Sequence, residues 1–307
     1  MFKNRLYFDL YEYRRYPSVF TGVDYCGLEE AVRLPFPEIE DTGIPPATQK
    51  IHFVADFLKP ELKPGFKRYK SRHVPGYAIE LNGVENLEQY IGVQLKPRLR
   101  STVRNKPKKL EEDCDITYTW YYGAIEKSEY DSIMARIREM LLTRFDELNK
   151  TNERIKEWDH LLEVLYPLIG RKQASIFMVK DGDAPIAISV NYHFGPVFCY
   201  FIPAIDVAYA QYSLGHLLIS KQLAWAIENG YKLFDFMMGD LRYKREWCNR
   251  TFYMETWVVY DAGSITSKAK AFLLHQMQLL KMYLKTKGVD KVYNKLMSQF
   301  RKLRGKG

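Results

Sequence analysis

The chain has 307 residues, 47% hydrophobic and 15% aromatic, which is enough apolar material for one large core or two modest ones and excludes a disordered protein. The cysteines Cys26, Cys114, Cys199 and Cys248 form no Cys-x-x-Cys pair, which argues against a zinc ribbon, a redox motif or a disulfide framework. The formal charge is +9, but residues 264–307 carry eleven Lys or Arg and one acid, so this tail holds +10 and the rest sums to about −1.

The chain begins with a segment that prolines interrupt repeatedly. We predict that residues 1–72 are irregular and form only part of a first lobe. Tyr, Arg, Asp and Glu are frequent in the first thirty residues, and no run of about eighteen apolar residues occurs anywhere. Neither a secretory signal nor a membrane span is therefore expected, and the cysteine usage favours a cytoplasmic protein.

Residues 73–169 are predicted to complete the N-terminal lobe. A strand, a basic helix, a second strand and two amphipathic helices are expected in this order, at 73–81, 85–105, 115–123, 127–149 and 156–169.

Residues 170–263 predict an α/β (α+β) core. Three strands joined by tight turns are expected at 174–179, 186–193 and 197–202, followed by a helix from Ser213 and strands at 232–237 and 252–260. Three antiparallel strands, a helix, a strand, a connection and a strand predict a mixed, largely antiparallel sheet flanked by helices.

The helix after Ser213 is the most informative local feature. Ser213 is predicted as its N-cap, and Asn229-Gly230 as its stop. Its first amides would then face the end of a strand, where a helix N-terminus favours phosphate or carboxylate. Gly215 would let a ligand approach the backbone. A capped helix that binds no ligand is the alternative.

These residues resemble a known family. Ser213-Leu-Gly215, Phe234-Asp235-Phe236, Gly239-Asp240 and Tyr243-Lys244-x-x-Trp247 are similar to the signature of the cellulose-biosynthesis-type (CelD/BcsL-like) acetyltransferases. That group lies in the GNAT (N-acetyltransferase) superfamily and is related to FemAB-type aminoacyl transferases. A basic block at 95–111 and a hairpin at 180–187 also match, so the resemblance covers roughly residues 75–260.

The resemblance implies acyl transfer from a carrier to an amine or hydroxyl. Lys244 is the predicted electrostatic group at the transfer site, although a surface lysine beside Glu246 is the alternative. Asp240 is predicted to accept a proton or to pair with Lys244 or Arg242, and a turn-capping role is equally compatible. No Ser-His-Asp set and no metal-ligand spacing occurs, so hydrolase and metal chemistry are not predicted.

Five further residues complete the predicted site. His216 is predicted to be neutral and to serve as a base or carrier contact, and Tyr243 to take part in catalysis. Asp235, Gly239 and Trp247 are assigned to the substrate pocket, with a structural role as the alternative for Asp235 and a core position for Trp247.

Carrier binding is assigned to two segments. The first is the helix start with Ser213, Leu214, Gly215 and His216. The second is the basic helix with Arg98 and Arg104, whose forked guanidinium groups suit phosphate, while a solvated basic helix is the alternative.

The function predicted from these assignments is N- or O-acyl transfer from acetyl- or acyl-CoA, without a metal, to a small molecule or a cell-envelope polysaccharide precursor. The acceptor attacks directly, because no cysteine or serine has a visible activating base. The alternatives are a transferase that uses aminoacyl-tRNA and a catalytically inactive GNAT-like scaffold held at a membrane.

The tail at 264–307 predicts two basic amphipathic helices separated by Gly288. Such helices either cover a sheet with their apolar face or lie on an anionic membrane, and both outcomes stay open. Nucleic acid is less favoured, because the tail lacks aromatics interleaved with arginine.

Overall fold

The computed structural model describes residues 4–26, 31–33, 45–147, 155 and 157–287. Within these ranges, the chain forms the following helices and strands. They are α1 (Leu6–Tyr13), β1 (Phe20–Cys26), β2 (Ala31–Arg33), β3 (Thr48–Ala55), β4 (Leu58–Leu62), β5 (Phe66–Glu80), α2 (Leu87–Gln94), α3 (Pro97–Asp113), β6 (Ile116–Tyr121), α4 (Lys127–Glu147), α5 (Trp158–Gly170), β7 (Ala174–Asp181), β8 (Ala184–Phe194), β9 (Val197–Ile205), α6 (Leu214–Glu228), β10 (Leu233–Met238), α7 (Arg242–Trp247), β11 (Arg250–Asp261) and α8 (Ile265–Thr286).

One eight-stranded sheet organises the chain. Its strand order is β3-β11-β5-β10-β9-β8-β7-β6, and β1, β2 and β4 form a separate three-stranded sheet. Among the pairs of the large sheet, β9 and β10 run parallel and the others run antiparallel. The prediction of a mixed, largely antiparallel sheet flanked by helices is confirmed.

The core lies on both faces of this sheet. One cluster joins α1, α4 and α5 to one face, and a second joins α2, α3 and α6 to the other. Because β8 is covered on both faces, nine of its residues in a row, 186–194, are buried without alternation. This buried strand pairs with β9, which separates from β10 further along.

The N-terminal segment differs from the irregular start that its prolines predict. Its described parts contain α1 and strands β1 to β5, and β3 pairs with β11 across more than 190 residues of sequence, from Ala55 to Met254. Pro60 lies within β4, which pairs with a single neighbour, so its missing N–H leaves no second partner unsatisfied. Strand β5 also crosses the predicted boundary at 72/73, so this boundary does not divide the sheet.

The basic helix predicted at 85–105 is two helices. Lys96 adopts extended backbone angles (φ −63°, ψ 151°) and Pro97 begins α3. A residue before proline is disfavoured in the helical region, whereas proline suits the first helical turn, so this pair ends one helix and starts the next. The break turns Lys96 and Arg98 toward a shared cleft.

The tail begins with α8, which packs on β3, β5 and β11. Among the described residues, no helix is long and apolar enough to cross a membrane. The second amphipathic helix predicted after Gly288 lies outside the described residues.

Candidate active site

The parallel strands β9 and β10 separate after a short contact. They pair at Val197–Leu233, Phe198–Phe234 and Cys199–Asp235, and no further pairs follow toward Ile205 and Met238. The pairing of β10 with β5 is interrupted there too, where Met237 has φ +63°. The divergence opens the sheet at the carboxyl ends of the two strands, which is where open α/β sheets bind ligands.

A cleft of about 990 Å³ lies beyond these strand ends. Helix α6, which follows β9, contributes Ser213 and His216, and the segment after β10 contributes Leu241, Arg242, Tyr243, Arg245 and Glu246. The break between α2 and α3 adds Gln94, Lys96, Arg98, Leu99 and Thr102, and α4 adds Arg144.

The cleft is strongly cationic. Its walls hold four arginines and one lysine against a single acid, Glu246. Glu246 accepts a hydrogen bond from Arg242 at 2.8 Å. Lys96, Arg98 and Arg144 form no ion pair with an acid among the described residues. A site with an excess of positive charge recruits an anionic ligand and holds it with charge-assisted hydrogen bonds.

The start of α6 lies at this cleft. Ser213 is the N-cap residue, as predicted, but it has left-handed angles (φ 55°, ψ 45°) and its side chain forms no capping hydrogen bond. The amides of Leu214 and Gly215 have no hydrogen-bond partner among the described residues. A methyl group added at Gly215 would meet no atom within 4 Å. Leu214 is only 1% exposed, whereas Gly215 is half-buried, so the Gly215 amide is the one that a ligand atom could reach.

His216 lines the cleft and is oriented by Trp247. The indole Nε1 donates to Nδ1 of His216 at 3.0 Å, and the two rings stack. Burial lowers the pKa of His216, so the imidazole is neutral near pH 7. Because an indole N–H is a donor only, the ring proton of the neutral imidazole lies on Nε2. In this arrangement the Nε2–H of His216 can donate a hydrogen bond to a ligand, while Nδ1 is already occupied by Trp247.

Tyr243 lies on the cleft wall, with its ring packed against Phe236. Burial raises the pKa of the Tyr200 hydroxyl, and the nearby Tyr243 raises it further. The structure therefore places the predicted Tyr243 where it can contact a ligand.

Lys244 does not line the cleft. Its side chain is buried, and Nζ donates to the carbonyl of Met238 at 2.8 Å. Lys244 occupies the inner face of α7 with Trp247, because residues three apart share a helix face. The structure thus places the predicted electrostatic group behind the wall, where it supports the end of β10.

Asp235 and Gly239 also lie behind the wall. Asp235 is fully buried and accepts hydrogen bonds from the Tyr7 hydroxyl and from the amide of Met237. Burial raises the pKa of Asp235 to about 6, while these bonds and Lys244 act in the opposite direction. Gly239 has φ +109°, which favours glycine, and its Cα faces the ammonium of Lys244. The alternative of a structural role applies to Asp235, and the core alternative applies to the fully buried Trp247.

Asp240 and Arg104 are not part of the cleft lining and pair with other side chains. Asp240 accepts hydrogen bonds from the Tyr77 hydroxyl and from Arg245, which lower the pKa of its carboxyl. It therefore pairs with Arg245, in place of the predicted Lys244 or Arg242. Arg104 donates two hydrogen bonds to Glu88. Arg98, on the same helix, lines the cleft.

Sequence reasoning missed five residues of the lining that carry charge: Lys96, Arg144, Arg242, Arg245 and Glu246. The first could have been found from the Lys-Pro-Arg sequence that breaks the helix. Arg242, Arg245 and Glu246 lie inside the recognised motif, but the electrostatic role was assigned to Lys244 alone. Arg144 is far from the motif in sequence, and only packing of α4 brings it near.

Two cysteines lie where burial disfavours the thiolate. Burial raises the pKa of both Cys114 and Cys248, which keeps these thiols protonated. In the described part of the chain, no group of three His, Cys, Asp or Glu side chains could hold a metal ion.

Residues 97–245, just under half of the chain, match the family model of the acetyltransferase (GNAT) domain. The protein contains a GNAT-fold domain. The matched region runs from the start of α3 to the cleft residue Arg245, so the GNAT domain supplies most of the cleft. No curated protein matches the chain.

Solved structures with a similar fold share little sequence. A conserved protein of unknown function from Bacteroides thetaiotaomicron VPI-5482 is 11% identical, with a TM-score of 0.44 over 64% of this chain and 63% of that one. FemX is 12% identical, with a TM-score of 0.48 over 75% and 74%. L-PGS from Bacillus licheniformis is 11% identical, with a TM-score of 0.43 over 69% and 67%.

Proposed function

We propose that the protein is an acyltransferase that moves an acetyl or longer acyl group from coenzyme A to an amine or hydroxyl. The observation that carries the proposal is the cationic cleft at the carboxyl ends of β9 and β10, next to the start of α6. Its charge suits the phosphates of coenzyme A, and GNAT domains generally use acyl-CoA donors. The acceptor class we propose is a small molecule or a cell-envelope glycan precursor, as in the cellulose-biosynthesis-type acetyltransferases.

Carrier binding is assigned to the unpaired charges and amides. Arg98, Lys96 and Arg144 would hold phosphate oxygens, since none of them pairs with an acid among the residues that the structure describes. The amide of Gly215 would add a hydrogen bond at the positive end of the α6 dipole. Ser213 and His216 border the same position.

The transfer itself is direct. The lone pair of the acceptor attacks the thioester carbonyl, the new C–N or C–O bond forms, and the C–S bond breaks. The coenzyme A thiolate leaves and takes up a proton, for which the Tyr243 hydroxyl is the proposed donor. The proton that the acceptor nitrogen or oxygen loses as the new bond forms then restores the Tyr243 hydroxyl. The Nε2–H of His216 is placed to donate to an oxygen that gains negative charge.

The remaining predicted residues are assigned supporting roles. Lys244 and Asp235 hold the end of β10 and the bulge at Met237, so they position the cleft wall without touching the substrate. Asp240 is a weak base, because its charged form is already stabilised by Tyr77 and Arg245. An amine acceptor that arrives neutral would need no stronger base.

We also propose a cytoplasmic location, because the four cysteines form no disulfide and thiols persist in reducing compartments.

A second donor, aminoacyl-tRNA, is favoured by one observation. Exposed cations continue along α3 past the cleft, from Arg98 through Lys108 and Lys109, over about 17 Å at 1.5 Å per residue. A row of this length suits a donor with a long phosphate backbone.

Calorimetric titration of the full chain with coenzyme A, acetyl-CoA and longer acyl-CoAs tests the proposal. Binding of these ligands, followed by release of free thiol when amine and sugar acceptors are added, is the expected result. Failure to bind any of them at millimolar concentration contradicts the coenzyme A proposal. In that case, the second donor is supported if the protein binds tRNA and the logarithm of the association constant falls steeply with the logarithm of the salt concentration.

A further inference from the structure

Helix α8 exposes a broad apolar surface. Eight large hydrophobic side chains on it are between 39% and 87% exposed. They are Ile265, Phe272, Leu273, Met277, Leu279, Leu280, Tyr283 and Leu284. At 3.6 residues per turn these positions form one continuous stripe on the side of the helix that faces away from the sheet. A contiguous apolar surface of this kind usually marks an interaction site.

The opposite side of α8 attaches it to the sheet with small and polar residues. Ser267, Ala271 and Gln278 are buried there. His275 stacks on Tyr69 of β5, with ring centroids 5.2 Å apart. The helix is therefore already packed, and its larger apolar face points outward. Simple coverage of the sheet does not account for that second face.

Positive charge borders the apolar stripe. Lys268 lies along one margin, and Lys270 and Lys281 lie along the other, all three exposed. From residue 265 to residue 287 the sequence contains no Asp or Glu. The same edge of the sheet is also positive: the pKa of His52 is lowered to about 4, first by burial and then by Lys50, His73 and Lys281.

The positive charge beside the apolar stripe favours one binding partner over the others. A second copy would bring its own α8 lysines against these ones. Residues 288–307 carry six Lys or Arg and one acid, so this segment would also meet like charge. An anionic surface complements the lysines, and a lipid bilayer also accepts the apolar side chains between them.

We propose that α8 binds the surface of an anionic lipid bilayer, lying in the plane of the interface. The apolar stripe enters the acyl region, and the lysine stems extend sideways so that the ammonium groups stay among the lipid phosphates. The sheet side of the helix keeps its packing, so the GNAT domain is held against the membrane through a rigid connection.

Vesicle flotation of the full chain tests this proposal. Vesicles of phosphatidylcholine mixed with phosphatidylglycerol should carry the protein, and vesicles of phosphatidylcholine alone should carry about tenfold less. The double variant Leu273→Ser/Leu280→Ser should lose about tenfold or more of the binding, because two side chains no longer enter the apolar layer. Lys270→Gln/Lys281→Gln should weaken binding to the mixed vesicles only.

A matched control is Val93→Ser, which replaces another exposed apolar residue, 85% accessible on α2, and should leave flotation unchanged. Equal thermal melting of all variants confirms folding, since each replaced side chain is at the surface. Unchanged flotation of the Leu273→Ser/Leu280→Ser variant overturns the proposal, and so does failure of the unmodified protein to float. A concentration-dependent dimer that the same double variant dissociates overturns it in favour of a second copy. Coenzyme A binding is independent of every outcome.

Discussion

The Trp247 indole and the Nδ1 atom of His216 are joined by a hydrogen bond of 3.0 Å, although the two residues come from different helices. The bond ties α7, after β10, to the first turn of α6, after β9. It therefore holds together the two sides of the cleft at the point where the parallel strands separate. It also determines which imidazole nitrogen is left for a ligand.

This bond predicts the tautomer of His216. Nitrogen NMR should show the proton on Nε2 and a pKa below 6.5, because burial disfavours the charged ring. The variant Trp247→Phe should allow the Nδ1–H tautomer to appear, and His216→Gln should remove the signal and so confirm its assignment. A His216 signal with its proton on Nδ1 in the unmodified protein would contradict the proposed donor role.

Two arginines on α3 offer a paired test of the cleft. Arg98→Gln should weaken coenzyme A binding by about tenfold or more, the amount expected for loss of a charge-assisted hydrogen bond. Arg104→Gln removes the same charge from the same helix, but Arg104 is bound to Glu88 outside the cleft lining. Calorimetry should find the second variant near the unmodified affinity. Equal losses in both variants would indicate a diffuse charge effect.

Close packing at Gly76 predicts a large stability difference between two glycine substitutions. A Cβ at Gly76 would come within 2.2 Å of the buried Phe252 ring, so Gly76→Ala should reduce the free energy of unfolding by about 1–3 kcal/mol or more. Gly215→Ala meets no atom within 4 Å and should be neutral or slightly stabilising. Urea unfolding measures both. The loss from Gly76→Ala should be smaller in a Phe252→Leu background, and equal losses in both backgrounds would exclude the ring contact as its cause.

Asp235 should make stability depend on pH. Its folded pKa is about 6, above the ordinary 3.8, so between these values the folded state binds more protons than the unfolded state. Stability from this group therefore falls as pH rises from about 4 to about 6, by up to about 3 kcal/mol. Asp235→Asn keeps a similar shape and does not titrate. The unfolding free energy of the unmodified protein minus that of the variant should fall by this amount between pH 4 and pH 7. A difference that rises over this interval would mean that the folded pKa lies below the ordinary value.

The sequence by itself determined the order of elements in the core. From Ala174 to Asp261, each predicted strand and helix lies within a few residues of its observed place. Alternating or continuous apolar runs, tight turns and the Asn229-Gly230 stop are local signals, and local backbone preference is sufficient to read them. The motif from Ser213 to Trp247 contains seven of the residues that line the cleft.

Tertiary structure decided which side chains face the cleft. The spacing of Lys244 and Trp247 shows that they share a face of α7, but only packing against β10 turns that face inward and leaves Arg242, Tyr243, Arg245 and Glu246 on the open side. Arg144 reaches the cleft from α4, and β3 joins the sheet from a segment whose prolines predicted no regular structure. Such contacts depend on the burial of apolar surface between elements distant in sequence, which no local pattern contains.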